Sequence, residues 1–221
     1  MLETYLRWPF QRLFVDQVAQ QMQRISPNAI TLTSALLGAI GAGFLIYQHI
    51  EWGAICFLFS GYADVLDGSI ARIRSSSSLT GTVLDLCLDR FVEFMMVLSL
   101  YFLGLDRAFA CLLMLGAMYL CTASFFAVSL CTQALEAQLK SRNISSLGAV
   151  KKSFYYSPGL IERAETFVFF FAMIAFDQAF FALAYLYAGL VLLTTLVRLI
   201  QFVRVQKALF SSVDATPDPH K

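Results

Sequence analysis

Asp64-Val-Leu-Asp67-Gly68-Ser-Ile-Ala71-Arg72, followed eight residues later by Gly81-Thr-Val-Leu-Asp85-Leu-Cys-Leu-Asp89, brings four carboxylates, one arginine and three small residues into a short stretch. The surrounding chain is otherwise built for lipid. Of its 221 residues 58% are hydrophobic and only 14% charged, whereas a soluble domain carries about a quarter charged residues. Carboxylates are costly in hydrocarbon and persist there mainly when paired, metal-bound or functional. Four at helical spacing point to divalent cations and a phosphate-bearing substrate.

Outward from this stretch, six segments are long enough to cross a hydrocarbon layer of about 30 Å, which takes roughly 20 residues. They are Ile30–Gln48, Trp52–Ala71, Thr82–Leu103, Ala108–Leu130, Leu160–Phe176 and Phe180–Val203. The fold expected is an all-α integral membrane protein with six transmembrane helices. Lys and Arg alternate between its loops. Arg7, Arg12 and Arg24 precede the first span, and Arg72 and Arg74 follow the second. Lys140, Arg142, Lys151, Lys152 and Arg163 lie around the fourth-to-fifth connection, and Arg204, Lys207 and Lys221 follow the sixth. In the opposite loops Arg107 is the exception. By the positive-inside rule both termini are cytoplasmic, and the expected location is a bacterial inner membrane.

Before the first span, Leu6, Phe10, Leu13, Phe14, Val18, Met22 and Ile25 recur at steps of three and four. That pattern suits an amphipathic helix over 1–26, lying in the cytoplasmic interface or packed as a cap on the bundle. Pro27 stops it, and Asn28 can cap the next helix. Residues 1–207 are expected to form a single membrane domain. Ala134–Ser157 reads as a cytoplasmic connection, and 208–221 as a disordered tail.

Several function classes are excluded. Cys56, Cys87, Cys111, Cys121 and Cys131 lie singly in apolar segments, as buried small residues do. His49 and His220 are the only histidines, which disfavours a histidine triad or a His-rich zinc site. A formal net charge of +1 offers no field for nucleic acid. With no early apolar core, no cleavable signal peptide is expected.

The second span runs inward and the third outward, so both halves of the motif meet at the cytoplasmic end of adjacent helices. Asp64 and Asp67 (i, i+3) share one helix face, as do Asp85 and Asp89 (i, i+4). A rise of 1.5 Å per residue sets Asp64 roughly 12 Å from Arg72 along the axis, so the carboxylates can converge a couple of turns inside the interface. Such a pair of helices makes a hard-oxygen site for Mg2+, Mn2+ or Ca2+. Unneutralised, the four would repel strongly. Arg72 can bind phosphate oxygens bidentately. Gly68, Ala71 and Gly81 either let a base and its phosphates approach or simply pack helices closely. A divalent-cation carrier using the same aspartates is the competing reading, but it predicts acidic groups on both sides of the midplane and no arginine beside the path.

The full pattern, D-x2-D-G-x2-A-R-x8-G-x3-D-x3-D, resembles the signature of the CDP-alcohol phosphatidyltransferase family at all eight specified positions. Pro27-Asn28-x2-Thr31, the six spans and the N-terminal helix are similar to the family too. The resemblance implies transfer of phosphatidyl from CDP-diacylglycerol to an alcohol, releasing CMP, by a membrane enzyme working as a homodimer. It implies two divalent metal ions, Mg2+ or Mn2+, with Asp64, Asp67, Asp85 and Asp89 as ligands. Asp89 would also be the general base on the acceptor hydroxyl. Asn28, Thr31, Gly68, Ala71, Arg72 and Gly81 would surround CDP and its diphosphate. A covalent phosphatidyl-aspartate is the alternative mechanism.

The acceptor is less defined. Asp89-Arg90-Phe-Val-Glu93 and Gly159-Leu-Ile-Glu162-Arg163 resemble the branch that uses inositol phosphate or similar phosphorylated polyols, in which Arg163 and Arg198 would bind the acceptor's phosphate. Arg198 could equally snorkel to the interface. Ser124-Phe-Phe-Ala-Val-Ser-Leu-Cys-Thr-Gln133 departs from the basic helix end of that branch. Glycerol 3-phosphate, serine, inositol and a CDP-linked head group therefore stay open.

Overall fold

The computed structural model describes residues 15–22, 25–74, 78–141 and 163–214, and the regular structure among them is helical. The helices are α1 (Asp16–Gln21), α2 (Pro27–Ile46), α3 (Ile50–Ile73), α4 (Leu79–Leu103), α5 (Ala108–Ser141), α6 (Arg163–Ala175) and α7 (Phe180–Asp214). Tight helical turns over Leu105–Arg107 and Asp177–Ala179 precede α5 and α7. Contacts group the chain into two units, Met1–Leu115 with Arg163–Leu186 and Gly116–Glu162 with Tyr187–Lys221.

In the first unit, the helix starts are set locally. Ser26 Oγ accepts from the Ala29 amide at 3.3 Å, and Pro27 takes the first helical position, where an N–H has no intrahelical partner to lose. The cap is therefore Ser26 and not Asn28, because a proline pre-set for the first turn puts the cap at the residue before it, two positions upstream of Asn28. Asn28 is left free for another contact. Ser78 likewise caps α4, accepting from the Gly81 amide at 3.0 Å.

α2 and α3 pack closely through small residues. Ser34 Oγ donates to the Ser60 carbonyl and Ser60 Oγ to the Ser34 carbonyl, both at 2.8 Å. This reciprocal pair satisfies two buried hydroxyls across the helix contact, where lipid offers no alternative partner. At Gly53 a methyl group would stand 2.6 Å from Leu45 Cγ and 3.0 Å from the Gly41 carbonyl, so only hydrogen fits. The two helices are joined by a tight turn in which Gln48 adopts a left-handed φ of 64°. On α6, Phe170 meets Phe57 of α3 edge-on with ring centroids 4.8 Å apart, which fixes α6 against α3.

The described part of the N-terminal segment docks by its apolar side. Val15 and Ala19 are buried with Ile30, Ala63, Leu66 and Ile70, and Val18 and Met22 pack against them. Leu6, Phe10, Leu13 and Phe14 lie outside the described residues.

Arg107, the charge that broke the loop alternation, is 8% exposed. Its guanidinium pairs with Asp177 and lies 4.3 Å from the centre of the Phe180 ring. It thus links the turn before α5 to the turn before α7 through a buried guanidinium and an exposed carboxylate, and is not a free interfacial charge of the kind the positive-inside rule counts.

In the second unit, Ala117, Met118 and Ser124 of α5 and Tyr187, Ala188, Val191 and Thr194 of α7 are buried, the α7 set recurring at the spacing of one helix face. α5 and α7 have 34 and 35 residues, about 50 Å at 1.5 Å per residue, so they outrun a hydrocarbon layer. α5 therefore extends to Ser141, into the stretch expected to be a connection. α7 extends to Asp214, past the expected domain end at 207.

Four stretches have the length and apolarity of membrane spans: Pro27–Ile46, Ile50–Ile73, Leu105–Leu135 and Asp177–Lys207. The chain is an all-α, multi-pass integral membrane protein. α4 is long enough, at 25 residues, but is interrupted by Asp85, Asp89, Arg90 and Glu93; α6 has only 13 residues.

Replacing Gly53 by Ala should lower the thermal unfolding temperature in detergent, because Leu45 and the Gly41 backbone must both shift, at about 1–3 kcal/mol. An unchanged melting temperature would show that the α2–α3 contact relaxes freely.

Candidate active site

α3 and α4 supply the carboxylates. Asp64 and Asp67 from α3 and Asp85 from α4 each present an oxygen within 4.8 Å of the others. The i, i+3 spacing puts the first two on one side of α3, and Ser78, by starting α4, sets the level at which Asp85 meets them. Asp67 is 5% exposed, and its Oδ2 has no hydrogen-bond partner. A buried carboxylate oxygen without a partner is a costly arrangement that a bound cation would satisfy. Three hard oxygen donors suit Mg2+ or Mn2+, so the residues present fit a divalent metal.

The fourth aspartate is held differently. Asp89 lies outside the three-carboxylate group and pairs with Arg163, which also donates from Nη1 to Asp64 Oδ1 at 2.7 Å. Arg163 thus joins α3 to α4 through two carboxylates. One turn beyond Asp89, the buried Glu93 pairs with Arg90 at 2.7 Å.

Around the carboxylates stand the residues expected to receive a nucleotide diphosphate. Thr31 is buried, donates to the Pro27 carbonyl at 3.1 Å and lies near the Asp67 carboxylate. Asn28 Oδ1 is 3.0 Å from where a Gly81 side chain would begin, so this glycine makes room for it. Arg72 Nη2 donates to Ser69 Oγ at 3.0 Å, and Arg72 Nη1 passes 3.5 Å from the corresponding point at Gly68. Ala71, partly exposed, precedes Arg72 on α3. The start of α2 therefore joins the motif through Thr31 at Asp67 and Asn28 at Gly81.

Arg198 belongs to the second unit. There it donates to the Cys121 carbonyl at 3.0 Å and to Ser124 Oγ at 3.3 Å, and its guanidinium lies 5.4 Å from the centre of the Phe125 ring. These contacts turn the side chain toward α5, and no carboxylate among the described residues neutralises it.

The contact that the motif did not reveal is Arg163 on Asp64 and Asp89, separated by 99 and 74 positions. The resemblance around Gly159–Arg163 pointed to this arginine as an anion-binding residue, but nothing in the sequence paired it with the motif's aspartates.

The model of the CDP-alcohol phosphatidyltransferase family matches residues 24–207. The chain belongs to this family. A bifunctional IPC transferase and DIPP synthase of Rubrobacter xylanophilus is 34% identical over 76 residues, covering 34% of this chain and 17% of the relative, so the chain spans well under two thirds of that protein's length. Inner membrane protein YnjF of Escherichia coli is 30% identical over 174 residues, covering 79% of this chain and 81% of the relative. The crystal structure of Mycobacterium tuberculosis phosphatidylinositol phosphate synthase with CDP-DAG bound shares the fold, with a TM-score of 0.62 at 20% identity, over 86% of this family member and 93% of that chain.

Asp67→Asn should weaken Mn2+ binding to the purified protein by at least about tenfold, since a charged ligand is lost at the most buried donor. Titration followed by the electron paramagnetic resonance of free Mn2+ reads this directly. Unchanged affinity would remove Asp67 from the metal site.

Proposed function

We propose that this chain is a phospholipid-synthesising enzyme that transfers phosphatidyl from CDP-diacylglycerol to the hydroxyl of an alcohol, releasing CMP. The observation that carries this reading is the group formed by Asp64, Asp67 and Asp85, with an orphaned oxygen on Asp67. The family assignment and the CDP-DAG-bound neighbour support it.

In the reaction, the acceptor oxygen forms a bond to the phosphorus bearing the diacylglycerol. The bond from that phosphorus to the bridging oxygen breaks, and CMP leaves with the electron pair. Asp64, Asp67 and Asp85 would hold the first of two divalent ions, and Asp89 would take part in holding the second. When bound, the metals supply neutralisation of the diphosphate charge. Asp89 takes the acceptor's hydroxyl proton as the new bond forms. Arg72 binds diphosphate oxygens. Thr31 and Asn28 line the nucleotide side, where Gly68, Ala71 and Gly81 leave space for it.

The proposed acceptor is a phosphorylated polyol such as inositol phosphate or glycerol 3-phosphate. Arg163, adjacent to Asp89, is the cation for its phosphate. Arg198 is proposed, within the second unit, as a further anion-binding residue. Six spans, an interfacial helix over 1–26, cytoplasmic termini with a site facing the cytoplasm, a single domain over 1–207 and a homodimer complete the reading.

Purified protein with Mn2+ or Mg2+ and CDP-diacylglycerol should release CMP when given the matching alcohol, in a screen of inositol phosphate, glycerol 3-phosphate, inositol and serine. No CMP with any acceptor, together with metal-dependent cation flux in vesicles, would overturn the reading. Asp89→Asn should lower turnover by about 10²–10⁴-fold, the range for loss of a general base, while nucleotide binding survives. Turnover close to wild type would exclude Asp89 as the base.

A further inference from the structure

Asp64 takes part in two arrangements at once. Its carboxylate belongs to the group formed with Asp67 and Asp85, and its Oδ1 accepts from Arg163 at 2.7 Å. The same guanidinium nitrogen holds Asp89. A divalent ion on the three carboxylates and the guanidinium of Arg163 would therefore compete for the charge of one carboxylate. Two cations sharing a carboxylate in surroundings of low dielectric repel strongly.

We infer that Arg163 is a displaceable counter-cation, which joins Asp64 to Asp89 in the ion-free site and is driven off Asp64 when a divalent ion binds. The displaced side chain has somewhere to go. Asp85, Asp89 and Glu93 follow one another at i, i+4 and i+8 along one face of α4, so Glu93 lies on the side of Asp89 away from Asp85. Glu93 is buried and shares its charge between Arg90, 2.7 Å away, and the more distant Arg163. The Phe167 ring, 6.0 Å from the guanidinium, flanks it on α6. Ion binding thus changes Arg163 from an internal pair member into a cation available to an anionic acceptor. This couples metal loading to readiness for the phosphorylated alcohol, and so rests on the proposed function.

The test uses the full-length protein in detergent without nucleotide, titrated with Mn2+ alone. Removing the competing charge in Arg163→Gln should tighten Mn2+ binding by about tenfold, whereas Arg163→Lys, which keeps the charge, should stay within about threefold of wild type. On the wild-type protein, Mn2+ should raise the rate at which phenylglyoxal modifies Arg163, followed peptide by peptide by mass spectrometry, and this needs no variant to fold. Equal or weaker Mn2+ affinity in Arg163→Gln, or modification of Arg163 unchanged or slowed by Mn2+, overturns the inference while leaving the enzyme reading intact. Absence of Mn2+ binding to the wild type would instead overturn the metal-dependent reading on which it stands.

Discussion

Like-charge repulsion between carboxylates held inside apolar helices is the constraint on which the first unit is built. Asp64, Asp67 and Asp85 bring oxygens within 4.8 Å of one another, and Asp67 is buried. Such a cluster requires helices held close enough that they cannot relieve the repulsion by separating. The reciprocal Ser34–Ser60 bonds and the side-chain-free contact at Gly53 hold α2 to α3, while Phe57 and Phe170 hold α6 there. Arg163 arrives with α6 and offsets part of the charge at Asp64 and Asp89.

The same economy of charge recurs away from the cluster. Arg107 is neutralised by Asp177 and covered by Phe180, and Glu93 is met by Arg90. Arg198 is held by a carbonyl, a hydroxyl and an aromatic ring, all neutral. Among these arginines, Arg163 is the one that meets the motif's aspartates directly, which links the family's motif to a residue far from it in sequence.

How much of this was legible before the fold was known differs by residue. The helices were readable from apolar runs, and their observed limits differ from expectation by a few residues, except at the far ends of α5 and α7. There polar residues continue a helix that the hydropathy pattern, tuned to hydrocarbon thickness, had ended. The aspartates were readable from spacing alone, because i, i+3 and i, i+4 place side chains on one face whatever the surroundings. Asn28 was misassigned as a cap because its competitor, Ser26, lies before a proline whose preference for the first helical turn settled the matter. Arg107 looked like a topological exception because a sequence displays charge but not its partner.

The sequence by itself determined the membrane class, the carboxylate pairs on their two helices and the family, since these follow from composition and from distances along one helix. Only the tertiary structure decided that Arg163 bridges Asp64 to Asp89, that Asn28 faces Gly81 and that Arg107 is buried against Asp177. Each of those contacts depends on how separate helices cross. Crossing is set by side-chain packing and small-residue approach summed over whole faces, which no spacing within a single segment records.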